Sequence, residues 1–194
     1  MDNSMKRRLP RLKNAFTLIE LLVVITIIGI LVGLAMPAYS TAIQSAKKAQ
    51  ASVMIQQLRT ALNNYQLDYG TWPSVLLNAS NYTVTSNSST ELYQDLIGSN
   101  QTTAAGQNPR MTVYMQFKTT DLLPTGTTGP AATGFIDPWG GSYYIMVDGN
   151  YTNQLTVPNL NSGSNGTTTT INAQIAIYSK GKPGSAQNKW VGSW

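Results

Sequence analysis

The stretch NAFTLIELLVVITIIGILVGLAMPAYS, residues 14–40, is apolar enough to enter a bilayer, yet Glu20 lies near its start. Phe16 to Met36 supplies 21 residues, and a helix needs about 20 to cross the hydrocarbon core. An ionised carboxylate at the centre costs about 2.5 to 3.5 kcal/mol, whereas each Leu, Ile, Phe or Val gains only about 0.3 to 0.6 kcal/mol. The stretch therefore predicts a membrane-spanning helix whose carboxylate needs a specific reason to be there.

Basic residues are concentrated ahead of this helix. The first 15 residues carry five of the 13 Lys and Arg and one of the eight acids, a net charge of +4, and the rest of the chain carries +1. By the positive-inside rule this flank stays in the cytoplasm and the chain after Pro37 is exported. The apolar run is longer than the core of a cleaved secretory signal, which has about 7 to 15 residues. Because the excess charge lies in this flank, we expect no nucleic-acid partner.

Cysteine and histidine are both absent from the chain. It therefore has no disulfide framework, no thiolate nucleophile and no imidazole to act as a general base or metal ligand. We expect a protein that is not an enzyme and that uses no cofactor.

The helical pattern continues past the apolar stretch. Apolar residues recur at spacings of four and three, as on one face of an amphipathic helix; they are Ala51, Ile55, Leu58, Leu62, Tyr65 and Tyr69. Gly70 is a natural helix end. The sequence predicts one helix over residues 16–69, bent near Pro37 because proline has no N–H to donate.

The remaining residues predict a small body with an antiparallel sheet. Polar tracts such as residues 78–90 and 161–170 predict loops, and SSTELYQDLIGS, from Ser88, predicts a short helix capped by Ser89 or Thr90. Strands are predicted at residues 111–118, 143–148, 152–157 and 171–178. Because Asp148-Gly149-Asn150 is a hairpin signal, the sheet should be antiparallel. The fold class is α+β, a long helix packed on a small antiparallel sheet.

A basic leader, then Phe-Thr-Leu-Ile-Glu from Phe16 to Glu20, then an apolar helix resembles the signature of type IV pilins and type II secretion pseudopilins. The resemblance implies a pilin-like fold, cleavage by a prepilin peptidase between Ala15 and Phe16, and N-methylation of Phe16. The family usually has glycine before the cut, so Ala15 implies slower processing but not its loss. Counted from Phe16, Glu20, Gly29 and Pro37 fall where pilins typically carry Glu, Gly and Pro.

This resemblance gives Glu20 a reason to be in the apolar stretch. The new amine at Phe16 is a cation in the same low-dielectric layer, and pairing it with Glu20 of a neighbouring subunit would neutralise two costly charges. Glu20 would then dock subunits as they enter a filament. The alternative is that Glu20 only snorkels to the interface and favours the amino end of the helix, worth about 0.3 to 1 kcal/mol.

Gly29, Gly33 and Pro37 predict a weak part of the long helix. Gly29 and Gly33 form a G-x-x-x-G spacing that permits close helix contact, and Pro37 cannot donate to the carbonyl of Gly33. The resemblance implies assembly contacts here and local melting of the helix in assembled filaments. A static kink is the alternative.

Two body segments resemble those of major pseudopilins. YQLDYGTWPS, residues 65–74, is similar to the turn after their long helix, and FIDPWGGSYYI, residues 135–145, is similar to their D-P-W-G turn into the sheet. Such a turn suits type I geometry, and its tryptophan can cover the sheet edge. The structural turn residues are Asp137, Pro138, Trp139 and Gly140.

The end of the chain departs from that pattern. Major pseudopilins commonly have an Asp-bearing calcium loop there, whereas this chain has Lys180, Lys182 and Lys189 and no acid after Asp148. Because calcium needs several oxygen ligands with compensating negative charge, we expect no bound metal.

The resemblance implies a filament subunit built in four parts. They are a leader at residues 1–15, a membrane and filament-core half-helix at 16–36, an amphipathic half-helix at 37–69 and a body at 70–194. The implied function is the structural subunit of a pseudopilus in a type II secretion-like system, anchored in the inner membrane with a cytoplasmic amino terminus and a periplasmic body. Implied partners are further copies, prepilin peptidase, the inner-membrane assembly platform and minor pseudopilins. The alternatives are a type IV pilus subunit for adhesion, motility or DNA uptake, and a membrane-tethered periplasmic binding module.

Overall fold

The computed structural model describes residues 16–77, 83–85, 90–99, 108–123 and 134–194. The predicted leader, with Ala15, and the predicted cap Ser89 lie outside these residues. The described chain falls into two compact units, the helix as far as Ile43 and the chain over Gln44–Trp194.

The long helix predicted from the sequence is confirmed. Helix α1 spans Leu18–Tyr69, 52 residues with Pro37 inside it. It ends where glycine was expected, because Gly70 has φ +69° and its N–H donates to the carbonyl of Gln66 at 2.7 Å. A left-handed residue closes a helix in this way most cheaply when it is glycine.

The second half of α1 is amphipathic, as its spacing predicts. Its buried residues include five of the six expected ones, and Tyr69 is half-buried; the buried set is Ala51, Met54, Ile55, Leu58, Ala61, Leu62 and Tyr65. Met54 and Ala61 extend the face that the body covers. This stripe is what fastens the helix to the rest of the fold.

Short helices follow α1. Helix α2 spans Ser74–Leu77 and α3 spans Thr90–Ile97, which confirms the helix predicted from SSTELYQDLIGS. Gly98 ends α3 with φ +65°, and a Cβ there would lie 2.7 Å from the carbonyl oxygen of Met111. Only glycine fits this position. Two 3-10 turns lie at Thr119–Asp121 and Gln187–Lys189.

Two antiparallel sheets complete the body. The larger has the order β1-β2-β5-β6, formed by Thr83–Thr85, Tyr143–Val147, Ile175–Ser179 and Val191–Gly192. The smaller pairs β3, Leu155–Pro158, with β4, Thr168–Ile171. Ile145 lies opposite Ile177 at the centre of the larger sheet, and both side chains are buried. The α+β fold class is therefore confirmed.

The predicted strand at residues 111–118 is wrong. The segment belongs to no strand, because the N–H groups of Tyr114 and Met115 both donate to the carbonyl of Leu96 in α3, at 2.9 and 3.0 Å. Met115 is buried, whereas Met111 and Val113 are more than half exposed. Its alternating pattern reflects a chain lying on the core and not a ladder of strands.

The predicted strand at residues 171–178 is two strands. It breaks between β4 and β5, and β5 pairs with β2 while β4 pairs with β3 in the other sheet. All five residues of β5 are buried, whereas β4 is largely exposed. The antiparallel pairing was predicted correctly, although the turn at Asp148 leads out of the larger sheet and does not join β2 to a paired β3. Strand β1 was missed because its residues lie in a tract predicted as a loop.

One hydrophobic core joins α1, α3 and the larger sheet. Its fully buried members include Ile55, Leu58, Leu62, Trp72, Leu92, Leu96, Phe135, Ile145 and Ile177. Burying such side chains is worth about 1.5 to 3 kcal/mol each. This core supports the body end of α1.

Asp95 is a buried carboxylate in this core. It is 1% exposed, and neither carboxylate oxygen has a hydrogen-bond partner among the described residues. Burial, with a smaller contribution from the charge of Glu91, raises the pKa of Asp95 from 3.8 to about 7. The folded protein therefore holds a proton that the unfolded chain releases near pH 4.

We expect the stability of the body to fall as pH rises from about 4 to about 7, since the folded state binds the extra proton across this range. Asp95→Asn should be nearly neutral at pH 4 and should stabilise the body by a few kcal/mol at pH 8, because a neutral amide avoids burying a charge. Denaturant midpoints of the full chain in detergent at both pH values measure this. Equal effects of the substitution at pH 4 and pH 8 would contradict it.

Candidate assembly site

Glu20 is bonded to the start of its own helix. Its carboxylate accepts the backbone N–H and the hydroxyl of Thr17, each at 2.7 Å, and the hydroxyl of Thr17 accepts the N–H of Glu20 at 3.3 Å. This reciprocal arrangement is a capping box, which satisfies donors that the first helical turn leaves unpaired. Within a single chain Glu20 thus has a local partner before any second subunit is present.

Thr17 was missed as a site residue by the sequence reasoning. The signal was present, because Thr17 and Glu20 have the T-x-x-E spacing of a capping box ahead of an apolar run. Glu20 was interpreted through its charge alone, and its hydrogen bonds to the helix start were not considered.

The apolar part of α1 is exposed along its whole length. Its large side chains from Phe16 to Met36 are 46% exposed or more, and none of the most apolar 18-residue window is buried. Of the helices in the described chain, α1 alone is long and apolar enough to cross a membrane. Exposed apolar surfaces of this size mark sites of contact with a membrane or with other proteins.

Gly29 and Gly33 leave open space beside this helix. A Cβ built at either position would have no heavy atom within 4 Å. At Pro37 the helix loses the N–H that would reach the carbonyl of Gly33, and the hydroxyls of Ser40 and Thr41 donate to the carbonyl of Pro37 at 2.9 and 3.1 Å. The roles of these residues in assembly, and the bend at Pro37, stay predictions.

Asp137, Pro138, Trp139 and Gly140 form a single turn. The N–H of Gly140 donates to the carbonyl of Asp137 at 2.9 Å, and Gly140 has φ +84°. The Asp137 carboxylate accepts the N–H groups of Trp139 and Gly141 at 3.0 and 2.7 Å. The hydroxyl of Ser179, in β5, donates to its other oxygen at 2.5 Å.

This turn carries a contact to the long helix. The indole Nε1–H of Trp139 donates to the side-chain oxygen of Gln44 at 2.8 Å. Neither Ser179, which ties the turn to the sheet, nor Gln44 was identified from the sequence, because both lie far from the turn along the chain.

The described residues hold no group of three or more His, Cys, Asp or Glu arranged to bind a metal ion. Asp148 organises its own loop, accepting the N–H of Asn150 at 3.2 Å and the hydroxyl of Thr152 at 3.3 Å, and bonding the N–H of Asn153. That no metal binds stays a prediction.

Comparison with known proteins identifies the amino-terminal segment. Residues 10–36 match the model of the prokaryotic N-terminal methylation motif. The chain is 41% identical over 63 residues to the fimbrial protein of Neisseria meningitidis serogroup A, which is 32% of this chain and 37% of the relative. The amino-terminal part of the chain is thus similar to that of type IV pilins and carries the methylation motif.

Two more relatives are similar to the amino-terminal part of the chain. The type IV major pilin protein PilE1 of Neisseria gonorrhoeae is 40% identical over 62 residues, 32% of this chain and 38% of that protein. The type IV major fimbrial protein FimA of Dichelobacter nodosus is 38% identical over 87 residues, 41% of this chain and 54% of that protein. The matched part of the chain thus spans well under two thirds of the length of these relatives. No solved structure matches the chain.

Proposed function

We propose that the protein is the structural subunit of a type IV pilus-like filament, anchored by α1 before assembly. The observation that supports this best is an exposed apolar helix that carries a carboxylate, Glu20, in its first turn. A tether would need only apolar residues, whereas this helix carries a carboxylate placed where the amine of a neighbouring Phe16 could meet it.

The similar proteins favour a pilus over a pseudopilus, because they are type IV major pilins and fimbrial proteins. The pseudopilus of a type II secretion-like system remains a second candidate. It is supported by the D-P-W-G turn, which resembles that of major pseudopilins and is tied to the sheet through Ser179. Both candidates have the same proposed partners: further copies, a prepilin peptidase and an inner-membrane assembly platform, with minor subunits.

In this proposal the protein works mechanically and catalyses no reaction. The amino terminus lies in the cytoplasm before processing and the body lies outside the inner membrane. Assembly would bring the apolar half-helices together, which removes their exposed surface from lipid. No cofactor is required for any of these steps.

Processing provides the direct test. Filaments sheared from cells and resolved by electron microscopy should contain a subunit that begins at Phe16, with a methylated amine and without residues 1–15, by mass spectrometry. Ala15→Gly should be processed at the same rate or faster, because glycine is the residue that the family usually has before the cut. Full-length chain as the only species in cells with active prepilin peptidase would refute the proposal.

A further inference from the structure

Three lysines lie together on the loop over residues 180–189. A Cβ built at Gly181 would lie 3.6 Å from the carbonyl oxygen of Lys189 and 4.0 Å from the ring edge of Trp139. The loop therefore folds back on itself beside this tryptophan. It brings Lys180 and Lys182, the two neighbours of Gly181, close to Lys189, and all three lysines are exposed.

Two further lysines lie on the α1 side of Trp139. The indole Nε1–H donates to the side chain of Gln44 at 2.8 Å. Lys47 and Lys48 follow Gln44 by three and four residues, so they lie on the same face of the helix. The lysine collar is Lys47, Lys48, Lys180, Lys182 and Lys189. It holds five of the eight Lys and Arg that follow residue 15.

Little negative charge balances the lysine collar. No Asp or Glu follows Asp148 in the sequence. Asp137 adjoins Trp139, but it is 3% exposed and its carboxylate accepts three hydrogen bonds. Asp121 lines a cleft together with Lys118, a lysine outside the collar. The collar is thus a positive surface suited to an anionic partner.

Aromatic rings hold one lysine of the collar in place. The ammonium of Lys180 lies 4.4 Å from the ring centroid of Tyr144 and 5.5 Å from that of Trp190. These rings attract the cation but carry no net charge, so its positive charge is not neutralised. Both rings are half-buried. Lysine beside tyrosine and tryptophan is typical of surfaces at a membrane interface.

The length of the chain keeps the lysine collar close to the apolar stretch. Only residues 37–43 separate Met36 from Gln44, where the body begins. Eight residues span at most about 29 Å when fully extended. A tether this short gives the collar a high effective concentration at the surface of a membrane that holds the apolar stretch.

We propose that, before assembly, the lysine collar binds the headgroups of anionic phospholipids. This contact depends on the proposed anchoring of the chain by α1. Lysines near a membrane are attracted to anionic headgroups, and the attraction falls off within a Debye length, about 8 Å at physiological salt. The tether and the five charges together favour lipid as the partner.

Lysine acetylation of the full chain in lipid nanodiscs tests this, with each residue followed by mass spectrometry. Discs of phosphatidylcholine are compared with discs that also contain about 30 mol% phosphatidylglycerol, whose headgroup is anionic. Acetylation of the collar lysines should be at least about threefold slower in the anionic discs. Salt at about 0.5 M should largely remove the difference, because it screens the attraction. Lys118 should change by less than about 1.5-fold, since it lies outside the collar.

Matched double variants make the test specific. Lys182→Gln with Lys189→Gln removes two exposed collar charges and should cut the slowing at Lys48 by about half. Lys118→Gln with Arg110→Gln removes two charges outside the collar and should leave the slowing at Lys48 unchanged. Arg110 lies over the ring of Tyr69, at the other end of α1 from the apolar stretch.

The outcomes separate the lipid contact from the anchoring. Equal acetylation in the two kinds of disc, or equal slowing at Lys118, overturns the lipid contact alone if the chain stays in both. Slowing by glycerol phosphate dissolved with neutral discs would show a site for free phosphate and would also overturn it. Loss of the chain from both kinds of disc once detergent is removed would refute anchoring by α1, and the lipid contact with it.

Discussion

Replacing Glu20 by leucine is expected to abolish filament formation while the chain still inserts into the membrane. Insertion should become easier, because the costly charge is removed from the apolar segment. Assembly should fail because each added subunit would leave the Phe16 amine unpaired in a low-dielectric layer, a loss of several kcal/mol. Counting sheared filaments by electron microscopy measures assembly. The amount of chain recovered from membranes measures insertion.

Two variants separate the charge of Glu20 from its role in the capping box. Glu20→Gln keeps the size and hydrogen-bonding capacity but loses the charge, so it should also fail to assemble. Thr17→Val removes the hydroxyl that bonds Glu20 but keeps the carboxylate, and should weaken the helix start by about 0.5 to 2 kcal/mol while filaments still form. If Glu20→Leu formed filaments at normal yield, α1 would be only an ordinary membrane tether.

Replacing Asp137 by alanine is expected to cause the largest loss of body stability. The carboxylate is buried and accepts three hydrogen bonds, from Trp139, Gly141 and Ser179. Its removal would leave two N–H groups and a hydroxyl without their partner, which costs about 3 to 5 kcal/mol in all. Denaturant unfolding of the full chain in detergent, followed by tryptophan fluorescence, gives the change in the free energy of unfolding.

Matched substitutions show whether the hydrogen bonds are responsible. Asp137→Asn keeps the shape and one acceptor oxygen, so its cost should be only about 1 to 2 kcal/mol. Asp68→Ala removes an exposed carboxylate that accepts one bond from the Tyr114 hydroxyl at 2.7 Å, and should cost less than about 1 kcal/mol. A loss for Asp137→Ala as small as that for Asp68→Ala would show that the turn is held by other contacts.

The amino-acid sequence by itself determined the long helix and its end. Apolar length, helical spacing and Gly70 are local signals, and a helix closes its hydrogen bonds within one segment, so residues 16–69 could be assigned without knowledge of the rest. The signature around Glu20 is local in the same way. The short helix of α3 and the turn at Asp137 also followed from neighbouring residues.

Only the tertiary structure decided how the extended segments pair and what holds the turn. Residues 111–118 have the alternation of a strand, yet their N–H groups reach Leu96, and residues 171–178 divide between two sheets. Alternation of apolar and polar residues indicates that one side of an extended segment is buried. It does not indicate which segment covers that side, because the covering residues lie far away in sequence. The bonds of Asp137 to Ser179 and of Trp139 to Gln44 have the same origin, because contacts between residues distant along the chain exist only once the core has brought them together.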